Sequence, residues 1–450
     1  MEDKKKAKLV EGAVGKTLFR LGLPMFIGIL SIITFNLVDT YFVGQLGTKE
    51  LAAISFTFPV ILVLSSISLG LGTGSSSIIS QAIGVGDQTL IKRLTSDSLM
   101  LSLIIVVIVS TIGIFTIEPL FTLMGATPDV IPLIREYMVY WYIGVPFLVI
   151  PMTGNSAIRA TGDTKTPTFI MLFAMLVNLI MDPLLIFGIG PFPRLELKGA
   201  ALATIIARVL SLIVSLYILI KREKMITFVS PGIKEVLLSW KKILYIGMPA
   251  AANNLIVPVS LFIITRLVSG FGKEAVAAFG VASRIEAFTI TPFMALASVT
   301  VPFIGQNWGG KLYDRVRVGI TRGHTFAMIW GLLAFIVYLL LANPISRLFN
   351  DNPEVTSIIA EYLVIVSMGY GFQGILMSSN AAFNAINKPM QAFFVNALRM
   401  FILYLPLAWL ASKIFGLDGI FYAALAANVL SGGVAYFWVR KVLEKSISAK

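Results

Sequence analysis

The chain has 450 residues, of which 57% are hydrophobic and only 13% are charged, and its mean hydropathy is +0.88. Soluble proteins usually carry about 25% charged residues, so this composition excludes an ordinary soluble protein and indicates one embedded in a membrane. The formal net charge is +13 and the sequence has no cysteine, which excludes disulfides, thiol catalysis and thiolate-bound metals.

Twelve long apolar runs follow one another, each about as long as a helix that crosses ~30 Å of hydrocarbon. They lie at 17–43, 51–84, 93–117, 134–155, 167–188, 199–220, 242–268, 276–305, 320–342, 358–380, 390–411 and 418–440. The sequence therefore predicts an all-α integral membrane protein with twelve transmembrane helices.

The first run contains a proline and two polar side chains. Pro24 removes a helix hydrogen bond, which makes it a candidate hinge. Asn36 and Asp39 are three residues apart and share a helix face. A carboxylate costs about 2.5–3.5 kcal/mol at the bilayer centre, so we expect Asp39 to have a function and Asn36 to line a substrate cavity. The alternative for Asp39 is a solvated position near the outer interface.

The second and fourth runs contain residues that suit helix packing. Gly70, Gly72 and Gly74 predict a close approach of helices. They do not indicate a nucleotide loop, because no strand precedes them and no Lys-Ser/Thr pair follows. Asn155 has a repeat equivalent, Asn380, which favours hydrogen bonding between helices over ligand binding.

The fifth and sixth runs add three oxygen-bearing side chains and a second proline. Asn178 and Asp182 are four residues apart and share a helix face, Pro183 is a second candidate hinge, and Thr204 follows in the next run. At a rise of ~1.5 Å per residue, Asp39, Asp182 and Thr204 all lie roughly 6–9 Å below the outer membrane edge. A purely structural pair of Asp182 with Arg208 is the alternative.

These side chains could hold a small cation. Carboxylates in a poorly solvated site can exchange a proton, and a hard cation such as Na⁺ needs several oxygen ligands. We therefore predict a site that exchanges H⁺ or binds Na⁺. Its members are Asp39, Asn178, Asp182 and Thr204.

An internal repeat with an offset of 225 residues divides the chain into two halves. Its clearest motifs are Leu21 to Pro24, which recurs as Ile246 to Pro249, and Gln81 to Gly84, which recurs as Gln306 to Gly309. Each half has six spans, an even number, so the repeat is parallel. We predict two six-helix bundles, 1–220 and 243–450, related by a pseudo-twofold axis along the membrane normal and joined by a cytoplasmic linker at 221–242.

The two halves differ in their charged residues. Asp39 aligns with Ile264, and Asp182 aligns approximately with Leu405, so the acidic site is predicted in the first half only. In the second half, Arg284 and Glu286 are candidate substrate-cavity residues. Because they are two residues apart on a helix, they point to nearly opposite sides, and pairing with other helices is equally compatible with the sequence.

The basic residues are distributed unevenly across the membrane. Loops on the side of both termini carry most of them, including Lys4 to Lys6 and Lys241-Lys242. The positive-inside rule then makes both termini cytoplasmic. These basic clusters are expected to set the orientation of the chain in the membrane and to contact membrane lipids; they do not indicate nucleic-acid binding. His324, the one histidine, lies near the cytoplasmic end of its span and is expected to be an exposed interfacial side chain rather than a proton relay.

Six motifs together resemble the multidrug and toxic compound extrusion (MATE) transporters, particularly the prokaryotic DinF-like branch. They are Leu21 to Pro24, Val38-Asp39 followed by Gly44, Gln81 to Gly84, Arg159 to Thr164, Asn178 to Pro183, and Gly199 to Thr204. The resemblance implies export of organic cations or other amphipathic compounds against an inward H⁺ or Na⁺ gradient. It also implies a cation-coupling role for the predicted H⁺ or Na⁺ site and bending of the first helix near Pro24. Polar groups lining the cavity of the first lobe, Asn155 among them, are a further implication of the resemblance.

The resemblance further implies a monomer in the prokaryotic inner membrane that needs no cofactor. The rival within transport is a flippase for lipid-linked oligosaccharides, which requires basic residues for a pyrophosphate. The spans offer Arg208, Arg284 and Arg399 for that purpose. A membrane-embedded enzyme is not expected, since one histidine and no cysteine leave few residues for a nucleophile or metal centre.

Overall fold

The computed structural model describes residues 7–229 and 232–449, and these residues are almost entirely helical. The helices are α1 (Val14–Gly44), α2 (Thr48–Val85), α3 (Gln88–Leu123), α4 (Ile131–Ala160), α5 (Lys165–Phe187), α6 (Glu196–Tyr217), α7 (Ile233–Val268), α8 (Lys273–Gly309), α9 (Tyr313–Arg347), α10 (Pro353–Ser367), α11 (Tyr370–Ala385), α12 (Pro389–Ala397), α13 (Leu405–Phe415) and α14 (Leu417–Ser448). Two π-helical turns, Ile218–Arg222 after α6 and Leu398–Tyr404 between α12 and α13, and a 3₁₀ turn, Ser269–Phe271 after α7, complete the regular structure of the described residues.

The predicted twelve-span class is confirmed. Among the described residues, eleven helical segments are long and apolar enough to span a membrane, and the pair α10 and α11 forms a twelfth with a bend of 54°. The bend falls in the predicted run 358–380. It lies at Gly369, where an added Cβ would be 3.0 Å from the Cβ of Asn428, so α14 packs closely against the break.

The duplication extends to the boundaries of the helices. α2 and α8 begin at Thr48 and Lys273, and α3 and α9 begin at Gln88 and Tyr313, so both pairs are 225 residues apart. The fifth helices of the two halves differ. α5 is one α-helix, whereas its counterpart contains the π turn just before Pro406, whose missing N–H cannot complete the α-helical pattern.

The described chain forms two compact units, each with its own apolar core. Unit 1 includes Leu23–Ala251, and unit 2 includes Lys8–Gly22 and the chain from Ala252 onward. The boundaries between units thus fall inside α1 and α7. The lobes 1–220 and 243–450 and the linker between them remain a prediction, and the basic cluster Lys4 to Lys6 lies outside the described residues.

Glycines allow α2 and the first half of α7 to pack closely within unit 1. An added Cβ at Gly70 would be 2.4 Å from the carbonyl oxygen of Gly247, and one at Gly74 would be 2.5 Å from that of Ile243. Gly72 faces α4 instead, where its Cβ would be 2.6 Å from Ser156 Oγ. The prediction that these glycines serve close helix approach is confirmed.

In unit 2, the segment before α1 is held by the cytoplasmic ends predicted for α8 and α9. The Leu9 N–H donates to Gln306 Oε1 at 3.0 Å, and Asn307 Nδ2 donates to the Leu9 carbonyl at 3.1 Å. Arg315 donates to Asn307 Oδ1 at 2.9 Å and to the Gly12 carbonyl at 2.9 Å. These charge-assisted bonds fix the start of α1.

Candidate functional site: a buried carboxylate cluster

The centre of the candidate site is an amide and carboxylate pair on α5. Asn178 and Asp182 are both fully buried, and Asn178 Nδ2 donates to Asp182 Oδ1 at 3.0 Å. Their spacing of four residues predicts this contact, since it stacks the two side chains on one helix face. The hydrogen bond fixes the carboxylate orientation and leaves its second oxygen available.

Asp39 of α1 joins this pair. Its carboxylate interacts electrostatically with Asp182 and with Arg208 of α6. Three buried acceptor oxygens, Asp39 Oδ1, Asn178 Oδ1 and Asp182 Oδ2, have no hydrogen-bond partner among the described residues. Because buried polar atoms are normally satisfied, this concentration of unpaired oxygens suits a proton or a monovalent cation, and the donor set fits Na⁺.

The neighbouring helices supply a cation and two aromatic rings. Arg208 lies over the Trp141 ring of α4, 5.6 Å from its centre. Tyr137, one turn before Trp141, is buried and interacts electrostatically with both Asp39 and Asp182. Sequence reasoning missed Tyr137, since nothing separates it from other aromatic residues of an apolar helix except its i, i+4 relation to Trp141.

Thr204 and Arg208 lie one turn apart on α6, and Thr204 is buried. Arg208 interacts with Asp39, and no ion pair joins it to Asp182 within residues 7–229 and 232–449. The structure therefore does not favour the simple structural pair of Asp182 with Arg208. Asp39 is the carboxylate that Arg208 balances.

The two candidate hinges lie on the same helices as the carboxylates. Thr168 of α5 donates to the Pro24 carbonyl at 2.7 Å, which ties α5 to the first third of α1. α1 continues as a helix through Pro24. Pro183 directly follows Asp182, and its missing N–H leaves the carbonyl one turn earlier without its helical donor. Both helices are thus weakened at a proline.

The first-half cavity candidates differ in their exposure. Asn36 is exposed. Asn155 is buried, and its Oδ1 accepts a long hydrogen bond of 3.5 Å from Ser215 of α6. This contact between α4 and α6 agrees with the alternative in which Asn155 forms a hydrogen bond between helices.

The second-half candidates separate as their spacing predicts. Arg284 is exposed, whereas the Glu286 carboxylate accepts a hydrogen bond from the Tyr362 hydroxyl and interacts electrostatically with Arg399. The expectation for His324 is wrong: it is buried, and its Nε2 lies 2.9 Å from Ser379 Oγ, because α11 covers this face of α9.

A separate polar cluster lies at the loop between α4 and α5. The Asp163 carboxylate accepts from the Thr166 hydroxyl at 2.6 Å, from the Thr166 N–H at 3.0 Å and from Arg222. Partial burial alone raises the pKa of Asp163. The hydrogen bonds and the Arg222 charge outweigh burial and hold that pKa below its usual range. The cluster joins this loop to the end of the sixth span.

Comparison with known proteins agrees with this architecture. A family model described as MatE matches residues 24–184 and 249–410, and the two matches begin 225 residues apart, one in each half of the repeat. The membrane-spanning fold and the family match define a multi-pass membrane transporter rather than an enzyme. The chain belongs to the MATE family.

Relatives cover nearly the whole chain. It is similar to the FAD transporter of Shewanella oneidensis, with 40% identity over 97% of this chain and 96% of that protein. It is also similar to the probable multidrug resistance protein YoeA of Bacillus subtilis, with 28% identity over 92% and 91% of the two chains. Among solved structures, the bent form of the Vibrio cholerae MATE transporter VcmN matches with a TM-score of 0.91, 32% identity and coverage of 96% and 98%.

Proposed function

We propose that this protein is a secondary active exporter in which inward movement of H⁺ or Na⁺ drives the outward movement of an organic solute. The observation that carries the proposal is the cluster of three unpaired, buried acceptor oxygens on Asp39, Asn178 and Asp182. An uncompensated acceptor cluster in a low-dielectric site is costly, and a bound cation removes that cost.

The coupling follows from charge. With the cation absent, Asp39 and Asp182 present negative charge, of which Arg208 balances a part. Binding of H⁺ or Na⁺ neutralises the site, so a cationic solute that depends on the same charge is released. Asn178 orients Asp182, and Thr204 supplies a further oxygen. Because Asp39 and Asp182 lie on helices weakened at Pro24 and Pro183, a change of charge can bias the shape of these helices.

Amphipathic organic cations are the first substrate class. They match the acidic site, and several MATE relatives are named for multidrug resistance or export. A second candidate is FAD, which is favoured by the 40% identity with an FAD transporter over nearly the full chain. The two classes differ in charge, since FAD carries an anionic pyrophosphate.

Proteoliposomes test the proposal. Efflux of ethidium, norfloxacin or FAD would be followed with a pH gradient and a Na⁺ gradient imposed separately. We expect one gradient to drive efflux, and Asp39→Asn and Asp182→Asn each to abolish that drive. Asp351→Asn, which alters an exposed loop carboxylate, is the matched control. Intact gradient-driven efflux in both site variants would refute the coupling role.

The flippase alternative has weaker support. Arg208 stacks on Trp141, and Arg399 lies beside Glu286, so two of the three arginines within spans are engaged inside their own units. The protein acts as a monomer in the prokaryotic inner membrane, with both termini in the cytoplasm. Cysteine labelling from either side of the membrane, in a chain that has no natural cysteine, tests this topology directly.

A further inference from the structure

An apolar cleft in unit 2 lies between the last two turns of α7 and the first two turns of α13. Its volume is about 250 Å³. The lining residues are Ile263, Ile264, Arg266, Leu267, Leu405 and Trp409. Five of these six side chains are hydrophobic or aromatic, so the cleft can hold a hydrocarbon chain.

Two cations lie at this cleft. Arg266 lines it directly, and Lys413 Nζ is 3.6 Å from the centre of the Trp409 ring. Both side chains are exposed. Within the described part of the chain, no ion pair joins Arg266 or Lys413 to a carboxylate. Their positive charges are therefore available to an anion outside the protein.

The cations and the tryptophan lie at one level. α7 ends at Val268 and α13 ends at Phe415, so Arg266 and Lys413 each lie in a terminal turn. In the predicted topology both ends face the outer side, and Trp is typical of the membrane interface on either side. The hydrocarbon-lined cleft then extends from headgroup level into the outer leaflet.

We propose that this cleft is a binding site for an anionic phospholipid of the outer leaflet. One acyl chain lies along Ile263, Leu267 and Leu405, and the phosphate accepts hydrogen bonds from Arg266 and Lys413. Charge selects this occupant: two unpaired cations repel the organic cations proposed as substrates, whereas a phosphodiester with an acyl chain matches both the charge and the apolar lining. Trp409 places its ring between these two regions.

Native mass spectrometry of the full chain in detergent tests the site with phosphatidylglycerol and phosphatidylethanolamine as probes. We expect preferential retention of phosphatidylglycerol, and a loss of roughly fivefold in its affinity for each cation removed in Arg266→Gln and Lys413→Gln. Arg266→Lys keeps the charge and should retain the preference. Arg347→Gln removes an exposed cation from the last turn of α9, away from the cleft, and is the matched control.

Three results would overturn the assignment. The first is equal retention of the two lipids by the unmodified protein. The second is the same loss of phosphatidylglycerol in Arg347→Gln as in Arg266→Gln, which would indicate a general effect of surface charge. The third is unchanged lipid binding in both cleft variants, which would leave these cations only compensating the helix ends. Because lipid retention is measured without transport, it does not depend on the proposed coupling.

Discussion

Replacing Gly70 by alanine tests the close contact between α2 and α7. The new Cβ would be 2.4 Å from the Gly247 carbonyl oxygen and 2.6 Å from the Ala251 Cβ. A carbon and a carbonyl oxygen normally approach to about 3.3–3.6 Å, so the two helices must separate locally by about 1 Å. Both obstacles are close to the backbone, and a rotamer change cannot relieve them.

The expected cost follows from this displacement. Overpacking of a well-packed interface costs about 1–3 kcal/mol. For a unit of 150–250 residues, each kcal/mol lowers the melting temperature by about 2–4 °C, which gives a predicted decrease of roughly 2–12 °C for Gly70→Ala. Fluorescence-detected size-exclusion chromatography after heating measures this directly.

Gly280→Ala is the control for this experiment. No atom lies within 4 Å of a Cβ added at Gly280 in α8, so the gain in helix propensity, up to about 1 kcal/mol, is not offset by a clash. We expect its melting temperature to be unchanged or slightly raised. A Gly70→Ala protein as stable as the parent would refute the packing argument, because it would mean that α2 and α7 separate without cost.

Three further variants address other clusters. Asp163→Asn should lower the free energy of unfolding by about 1–2 kcal/mol at pH 7. Because the pKa of Asp163 is lowered in the folded state, the stabilisation by its carboxylate is complete above the unfolded-state pKa of about 3.9. That stabilisation disappears as pH falls through the folded-state pKa. Unfolding curves for parent and variant should thus converge below about pH 4, and parallel curves would contradict this. In a double-mutant cycle, the changes in unfolding free energy caused by Tyr362→Phe and Glu286→Gln should differ from additivity by at least about 0.5 kcal/mol. Strict additivity would argue against the hydrogen bond between these two side chains. Arg315→Gln should speed tryptic cleavage after Lys8 about fivefold or more, since it releases the adjoining segment; unchanged cleavage would show that Arg315 does not hold it.

The transmembrane spans could be predicted because a helix that crosses the hydrocarbon must consist of mostly apolar side chains. Each predicted run corresponds to an observed span, but the helices are longer; α3, for example, covers Gln88–Leu123 where the apolar run covers 93–117. The extra turns contain polar residues such as Gln88, Lys92 and Glu118, so hydropathy cannot detect them. The bend at Gly369 could not be predicted from the sequence either, because no proline marks it and it depends on the packing of α14.

The candidate site was partly predictable. The contact between Asn178 and Asp182 follows from helical periodicity, which acts within one helix. Two features depend on how four helices pack: the electrostatic interaction of Arg208 with Asp39, and the proximity of Tyr137 to both carboxylates. His324 shows the same limit, since its burial results from the position of α11 and cannot be read from its neighbours in sequence.

The segment that precedes α1 has a consequence for the order in which the chain can fold. Leu9 bonds to Gln306, a residue 297 positions later. At a synthesis rate of about 5–20 residues per second, the start of the chain emerges roughly 15–60 s before its partners exist. The first half of α7 has no such delay, because Gly247 packs against Gly70, which has already been synthesised. The segment that begins at Leu9 is therefore among the last parts of the described chain to reach its final contacts during biosynthesis.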